Sequence, residues 1–355
     1  MRTGSLLLVA VLVSALPAAA QQKPPAGRPV RTEKEVEALI DKAGKTPPDW
    51  WNSVKLVYPK TLDLSFPPNP GGQWDQTRNV GQYLWSVINE NPAKWKEGIR
   101  FLHHLLTVNK DSAETLDRIM GALARSYQNL LQDPARAAFW WRKAGKTDTE
   151  ELANCYWDLG CKEMAVAILD KIGPDGTRNC TVIKLWADMG ETEKALKLAE
   201  GRPDDPGFLA AGEACRLAGR YDEAMAFYEK VLALKGGDRD LPRNQARAKS
   251  SLEAVKLFEA LDLKRVVPGK YKAEAMGYEK LLEVEVVVGG GRIVSVKVTK
   301  HQEKQFYSSL TDTPARILAK QSVKGVEMTS GATITAEAIV NATAKALAQG
   351  MPRKK

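Results

Sequence analysis

The sequence predicts a multidomain chain in which an all-α array of helical repeats is followed by a small α+β domain. Three observations predict it. Gly160, Gly190 and Gly219 recur 30 and 29 residues apart inside segments of one pattern, a periodic apolar helix, a glycine turn and an alanine-rich second helix. Beyond Val266 the apolar spacing changes from helical to strict alternation. The charge is also divided: residues 21–263 carry 35 basic and 35 acidic side chains, whereas residues 264–355 carry 16 Lys or Arg against 8 Asp or Glu. A chain of 355 residues is long enough for two domains with cores of their own.

Residues 1–20 combine Arg2, an apolar run from Leu6 to Leu16 and Ala18-Ala19-Ala20 before Gln21, the pattern of a secretory signal cut after Ala20. An uncleaved signal acting as an anchor is the alternative. The run is short for a membrane span, and no later stretch approaches ~20 apolar residues. No cysteine follows the cut, so no lipid anchor is indicated there. The expected location is periplasmic or otherwise extracytoplasmic. Residues 21–79 form an N-terminal segment that opens with the Pro-rich tether "QQKPPAGRPV". Then comes "TEKEVEALIDKAG", an amphipathic helix opened by Thr32. From Thr46 to Trp74 the chain reads as irregular, with Trp50, Trp51, Tyr58, Phe66 and Trp74 packing on the neighbouring domain.

Residues 80–263 read as stacked helical hairpins, because one hairpin cannot bury its own apolar face. The units are "CYWDLGCKEMAVAILDKI", "LWADMGETEKALKLAE" and "CRLAGRYDEAMAFYEKVLAL", with earlier ones at "NPAKWKEGIRFLHHLLTV", "SAETLDRIMGALARSYQNLL" and "DPARAAFWWRKAG". The last unit resembles a tetratricopeptide repeat, and the others are shorter, degenerate matches. That resemblance implies a surface that binds other proteins. Trp140, Trp141, Tyr156, Trp157 and Trp186 stand at helical spacing, as packing between repeats or as a ligand platform.

Cys155, Cys161, Cys180 and Cys215 read as buried thiols, with one disulfide as the alternative. His103 and His104 are adjacent on a helix and face different directions, so they do not readily share a metal. The basic excess suits an anionic ligand or an acidic partner, or in Arg353, Lys354 and Lys355 a solvated tail at residues 351–355. It is scattered without a clustered aromatic platform, so nucleic-acid binding is not indicated.

Residues 264–350 form the α+β domain. A strand at Tyr271–Met276 precedes a hairpin of Leu282, Val284, Val286 and Val288 with Ile293, Val294, Val296 and Val298 across a glycine turn. "TDTPARILAKQS" reads as a helix with Pro314 in its first turn, and residues 335–349 as a closing helix. Between them lies "VEMTSGATITAEAI". It reads either as a turn feeding a helix or as an anion site, where unpaired N–H groups at a helix start meet several hydroxyls.

The segment from Gly269 to Gln349 resembles the FMN-binding domain of flavin-carrying subunits of sodium-pumping quinone reductase and related membrane electron-transport complexes. "GKYKAEAMGY" resembles its opening strand and Gly-Tyr, and "VEVVVGGGRIVSVKV" its hairpin. "HQE" stands where the family often has His-x-Glu-Thr, and "QSVKGVEMTSGATIT" ends in its SGATxT. The resemblance implies FMN joined as a phosphoester to Thr333 by a separate flavin transferase that uses FAD and magnesium. Gly331 and Ala332 would let the donor and flavin approach the backbone. Ser330 and Thr335 would hydrogen-bond the phosphate or ring, or merely cap the helix. Two positions depart from the family pattern: Glu327 stands where Asp is common six residues before the acceptor, and Lys304 where Thr often follows His-x-Glu. His301 and Glu303 would then belong to the flavin pocket, or pack structurally.

No acid/base pair, nucleophile triad or substrate pocket is visible. The implied function is extracytoplasmic electron transfer by a covalent flavoprotein, more a carrier than a complete enzyme. The repeats would dock redox partner proteins, and the chain would meet a membrane only through a partner complex. The alternative is a non-redox scaffold with a degenerate FMN-binding domain.

Overall fold

The computed structural model describes residues 28–68, 72–173, 179–236 and 239–352. Residues 1–20, read as an export signal, and the terminal Arg353, Lys354 and Lys355 lie outside the described residues. Helix α1 (Glu33–Lys45) starts at a reciprocal capping box. The Thr32 hydroxyl accepts from the Glu35 amide, and the Glu35 carboxylate accepts the Thr32 amide at 2.8 Å. Residues 28–30, the end of the stretch read as a tether, are docked together with Arg31. Arg31 N–H donates to Gly160 O at 2.9 Å, and the Arg28 guanidinium lies 4.0 Å over the Trp157 ring.

The irregular segment packs through its aromatics as its composition predicts. Trp51 meets His103 edge-on with centroids 4.9 Å apart, and Tyr58 packs on Phe101 at 4.9 Å. Trp74 departs from that expectation and is 61% exposed. His103 Nε2 lies 3.1 Å from the Tyr127 hydroxyl, and His104 Nε2 lies 3.2 Å from that of Tyr58.

Helix α2 (Val80–Tyr83) runs into a π-helical turn at Leu84–Asn89. After α3 (Trp95–Val108), α4 (Ala113–Arg125) runs into a second π-turn at Ser126–Leu130, and α5 (Pro134–Lys143) follows. Three hairpins come next: α6 (Glu150–Leu159) with α7 (Lys162–Ile172), α8 (Cys180–Asp188) with α9 (Thr192–Glu200), and α10 (Asp205–Leu217) with α11 (Tyr221–Ala233). The three aligned glycines sit in their turns with φ of +94°, +81° and +77°, a left-handed conformation costly for residues with a Cβ. Helix α12 (Leu241–Phe258) closes the array. All four cysteines are free. Burial raises the Cys155 thiol well above its usual range and pushes Cys215 up to about 11, as expected of inert core thiols.

The α+β unit is a three-stranded antiparallel sheet in the order β1 (Gly269–Met276), β2 (Leu281–Gly289), β3 (Arg292–Lys300), followed by α13 (Ser309–Lys320) and α14 (Thr333–Gln349). Leu282, Val284, Val286 and Val288 are all buried, as the alternation predicts. Strand β3 differs. Val288 pairs with Ile293 and Val287 with Ser295, so Val294 is an extra, bulged residue that points outward, while Ile293 and Val296 stay buried. Helix α13 begins before the predicted start, which places Pro314 inside it, and α14 begins at Thr333 instead of residue 335.

Helix α14 packs on β1, β2 and α12. One apolar core therefore joins Cys215, Tyr228 and Phe258 of the array to Val284, Ile317 and Ile339 of the α+β unit. Among the described residues no helix is long and apolar enough to cross a membrane.

Candidate functional site

The site is built where the SGAT turn enters α14. Gly331 adopts φ +76°, and a Cβ there would lie 2.9 Å from the Asn129 side chain on the second π-turn, so both conformation and proximity require glycine. Ala332 is buried, so its small size serves packing. Helix α14 then starts without a side-chain cap, and its first hydrogen bond is Ala336 N–H to Ala332 O at 3.0 Å. The amides of its first turn are thus without intrahelical partners and carry the positive end of the helix dipole. Ser330 and Thr333 are half-buried, and their hydroxyls make no hydrogen bond among the described residues.

Glu303 and Thr335 do different work. The buried Thr335 hydroxyl donates to Glu303 Oε2 at 2.5 Å, and the same carboxylate accepts the amides of Tyr278 at 3.0 Å and Glu279 at 3.1 Å. Glu303 thereby pins the Gly-Tyr turn and the loop after β3 to α14. Gly277 completes the clamp, because a Cβ there would come 2.5 Å from Glu303 Oε1.

Glu327 points elsewhere. Its carboxylate meets Arg28 at 2.8 Å and Arg316 at 3.7 Å, and it borders a cavity that Thr333 does not line. Burial alone would raise its pKa, but Arg28, Arg316 and Lys184 outweigh that and hold the carboxyl below its usual range. His301 is exposed, its ring edge-on to Phe306 at 5.3 Å, and it borders none of the three cavities described next.

Three cavities between the array and the α+β unit share Thr333, one of them bordered by Asn154, Ser330 and Gly331. Of the other two, the first, about 420 Å³, is bordered by Trp85, Tyr278, Lys304, Tyr307 and Thr333. The second, about 200 Å³, is bordered by Thr181, Lys184, Glu213, Arg216, Met328 and Thr333. Arg216 is 1% exposed; its guanidinium pairs with Glu213 at 2.7 Å and donates to Val326 O at 2.9 Å, which leaves Nη1 without a partner. Arg247, which also borders the second cavity, pairs with Glu337 at 2.8 Å and leaves Nε without one. Lys184 is paired with Asp188, whose carboxyl burial pushes up to about 6 against the pull of that lysine.

These residues fit a phosphate-bearing flavin. The unpaired first-turn amides and two unengaged hydroxyls suit the anionic end, and an aromatic cavity suits a flat ring. Asn129, Trp85, Lys184 and Arg216 belong to the site by position, yet they lie in the array, and no local motif marks them.

An uncharacterized protein of Treponema pallidum (strain Nichols) is 37% identical over 86 residues, which is 24% of this chain and 24% of that relative. The match thus spans about a quarter of the relative's length. No solved structure matches. Residues 277–348 match the family model of the FMN-binding domain, a stretch that holds the Gly277 turn, Glu303 and the SGAT turn, and this match supports a flavin-binding role for the C-terminal unit.

Proposed function

We propose that this chain is an exported electron-transfer flavoprotein whose FMN is linked to Thr333 through a phosphoester. The observation that carries the reading is the Thr333 hydroxyl: unengaged, half-buried, at the uncapped start of a 17-residue helix inside the matched domain. Bound FMN supplies one- and two-electron redox chemistry. The chain's own residues attach, orient and shield it. The first-turn amides of α14 and the Ser330 hydroxyl would hold the phosphate oxygens. Glu303 keeps Tyr278 and α14 in fixed relation, so that ring and phosphate anchor are held to one geometry.

Attachment would rely on a separate flavin transferase acting on FAD with magnesium. The Thr333 oxygen would bond to the FMN phosphorus as AMP leaves. The signal-like residues 1–20 support an extracytoplasmic location. The hairpins, tetratricopeptide-like in their last unit, would dock redox partners through surface left free by the α+β unit. The role we propose is that of a carrier, because the redox chemistry would be the flavin's own.

The test is co-expression of the full chain with a flavin transferase, followed by denaturation and in-gel fluorescence. Wild type is expected to fluoresce and Thr333→Ala to lose the signal. A dark wild type would refute covalent attachment and leave a helical scaffold.

A further inference from the structure

Both π-helical turns of the array lie against the flavin-site end of the α+β unit. Such turns are rare and are found disproportionately where a helix is reshaped for function. The second places Asn129 against Gly331, and its Asn129 carbonyl accepts the Ser308 amide at 3.1 Å. The first carries Trp85 and is fastened by one residue of the loop after β3. Gln305 accepts from the Asn89 side chain at 3.3 Å and donates to the Trp85 carbonyl at 3.3 Å.

Trp85 borders the 420 Å³ cavity that Tyr278, Tyr307 and Thr333 also border. It is nevertheless 49% exposed, which is unusual for a large aromatic set beside a concave surface. Tyr307, which borders the same cavity, holds φ +45°, a strained conformation for an aromatic residue and one that clusters at ligand sites. The cavity lies within the size range of small-molecule sites, and its aromatic residues come from two separate domains.

We infer that the array supplies one wall of the flavin pocket: the ring of the Thr333-linked flavin lies between Trp85 of the first π-turn and Tyr278 and Tyr307 of the C-terminal unit. The inference rests on the attachment proposed above. An aromatic ring stacked on a flavin is bound in preferred offset geometry and quenches its emission. The array is then part of the cofactor site, and Trp85 shields the ring edge that faces solvent.

The test uses full-length protein purified after co-expression with the transferase, as wild type, Trp85→Ala, Trp85→Phe and Trp74→Ala. Flavin per chain, read by mass, is expected to be equal in all four. Flavin emission of the folded protein should rise several-fold in both Trp85→Ala and Trp85→Phe, because a phenyl ring is a poor electron donor to the excited flavin; the visible band should shift in Trp85→Ala and shift less in Trp85→Phe, and Trp74→Ala should stay at the wild-type level. Unchanged emission and spectrum in both Trp85 variants, with flavin present, would overturn the inference while leaving attachment intact. Absence of flavin from the wild type would overturn attachment and this inference with it.

Discussion

Glu303 gathers the Tyr278 amide, the Glu279 amide and the Thr335 hydroxyl on one carboxylate that is only 5% exposed. Removing it strands the buried Thr335 hydroxyl, which costs ~1–3 kcal/mol, and hands the amides of the exposed Tyr278 and Glu279 back to water. Glu303→Ala is therefore expected to destabilise the protein by ~1–3 kcal/mol, seen as a lower urea midpoint; Glu303→Gln, which keeps one acceptor oxygen, should lie between. An unchanged midpoint in Glu303→Ala would contradict the clamp. A second residue makes stability depend on pH. Burial, with Arg136 nearby, lowers the His103 imidazole from 6.5 to about 4. Its contribution is intact above about pH 6.5 and is lost as pH falls toward 4, because only the unfolded chain binds the proton there, at ~1.4 kcal/mol per pH unit. In His103→Gln that slope should flatten in urea titrations at stepped pH. Thr333 was legible at this scale, because an SGAT turn before an alanine-rich helix is a local feature. The partners of Glu327 and Glu303 were not, since Arg28 and the Tyr278 amide reach them only through the tertiary fold.

At the scale of elements, the repeat glycines were legible because a left-handed turn leaves a residue-type signature. Their surroundings differ. A Cβ at Gly160 would lie 1.8 Å from the Pro29 carbonyl oxygen, whereas at Gly190 and Gly219 nothing lies within 4 Å. Gly190→Ala and Gly219→Ala should each cost ~1–2 kcal/mol from the left-handed backbone alone. Gly160→Ala should cost clearly more and expose residues 28–31 to limited proteolysis; equal losses in all three would contradict the docked segment. The β-hairpin was legible from its alternation, but its bulges were not. A bulge is a property of pairing, and Val294 turns outward only because Ile293 and Ser295 take the two successive partners on β2. The early start of α13 has a similar origin: the Ser308 amide is held by Asn129 of the array, so the helix begins ahead of its own sequence signals.

In the whole molecule the two units named by composition share a core and a buried polar seam. Glu337, 3% exposed, bonds Arg247 at 2.8 Å and Ser251 at 2.5 Å, and Asn341 donates to Ser251 at 2.9 Å. A seam of paired charges constrains how α14 sits on α12, and with it the direction Thr333 faces. The face of the array turned toward the α+β unit is occupied by the chain itself, which periodicity along the sequence does not reveal. Flavin attachment at that junction is the central claim, and a peptide mass spectrum of the full-length protein exported from a host with a competent transferase tests it most directly. The account predicts one FMN, less one water, on the peptide spanning Thr333 in wild type and its absence in Thr333→Ala. An unmodified Thr333 peptide from the wild-type protein would contradict it.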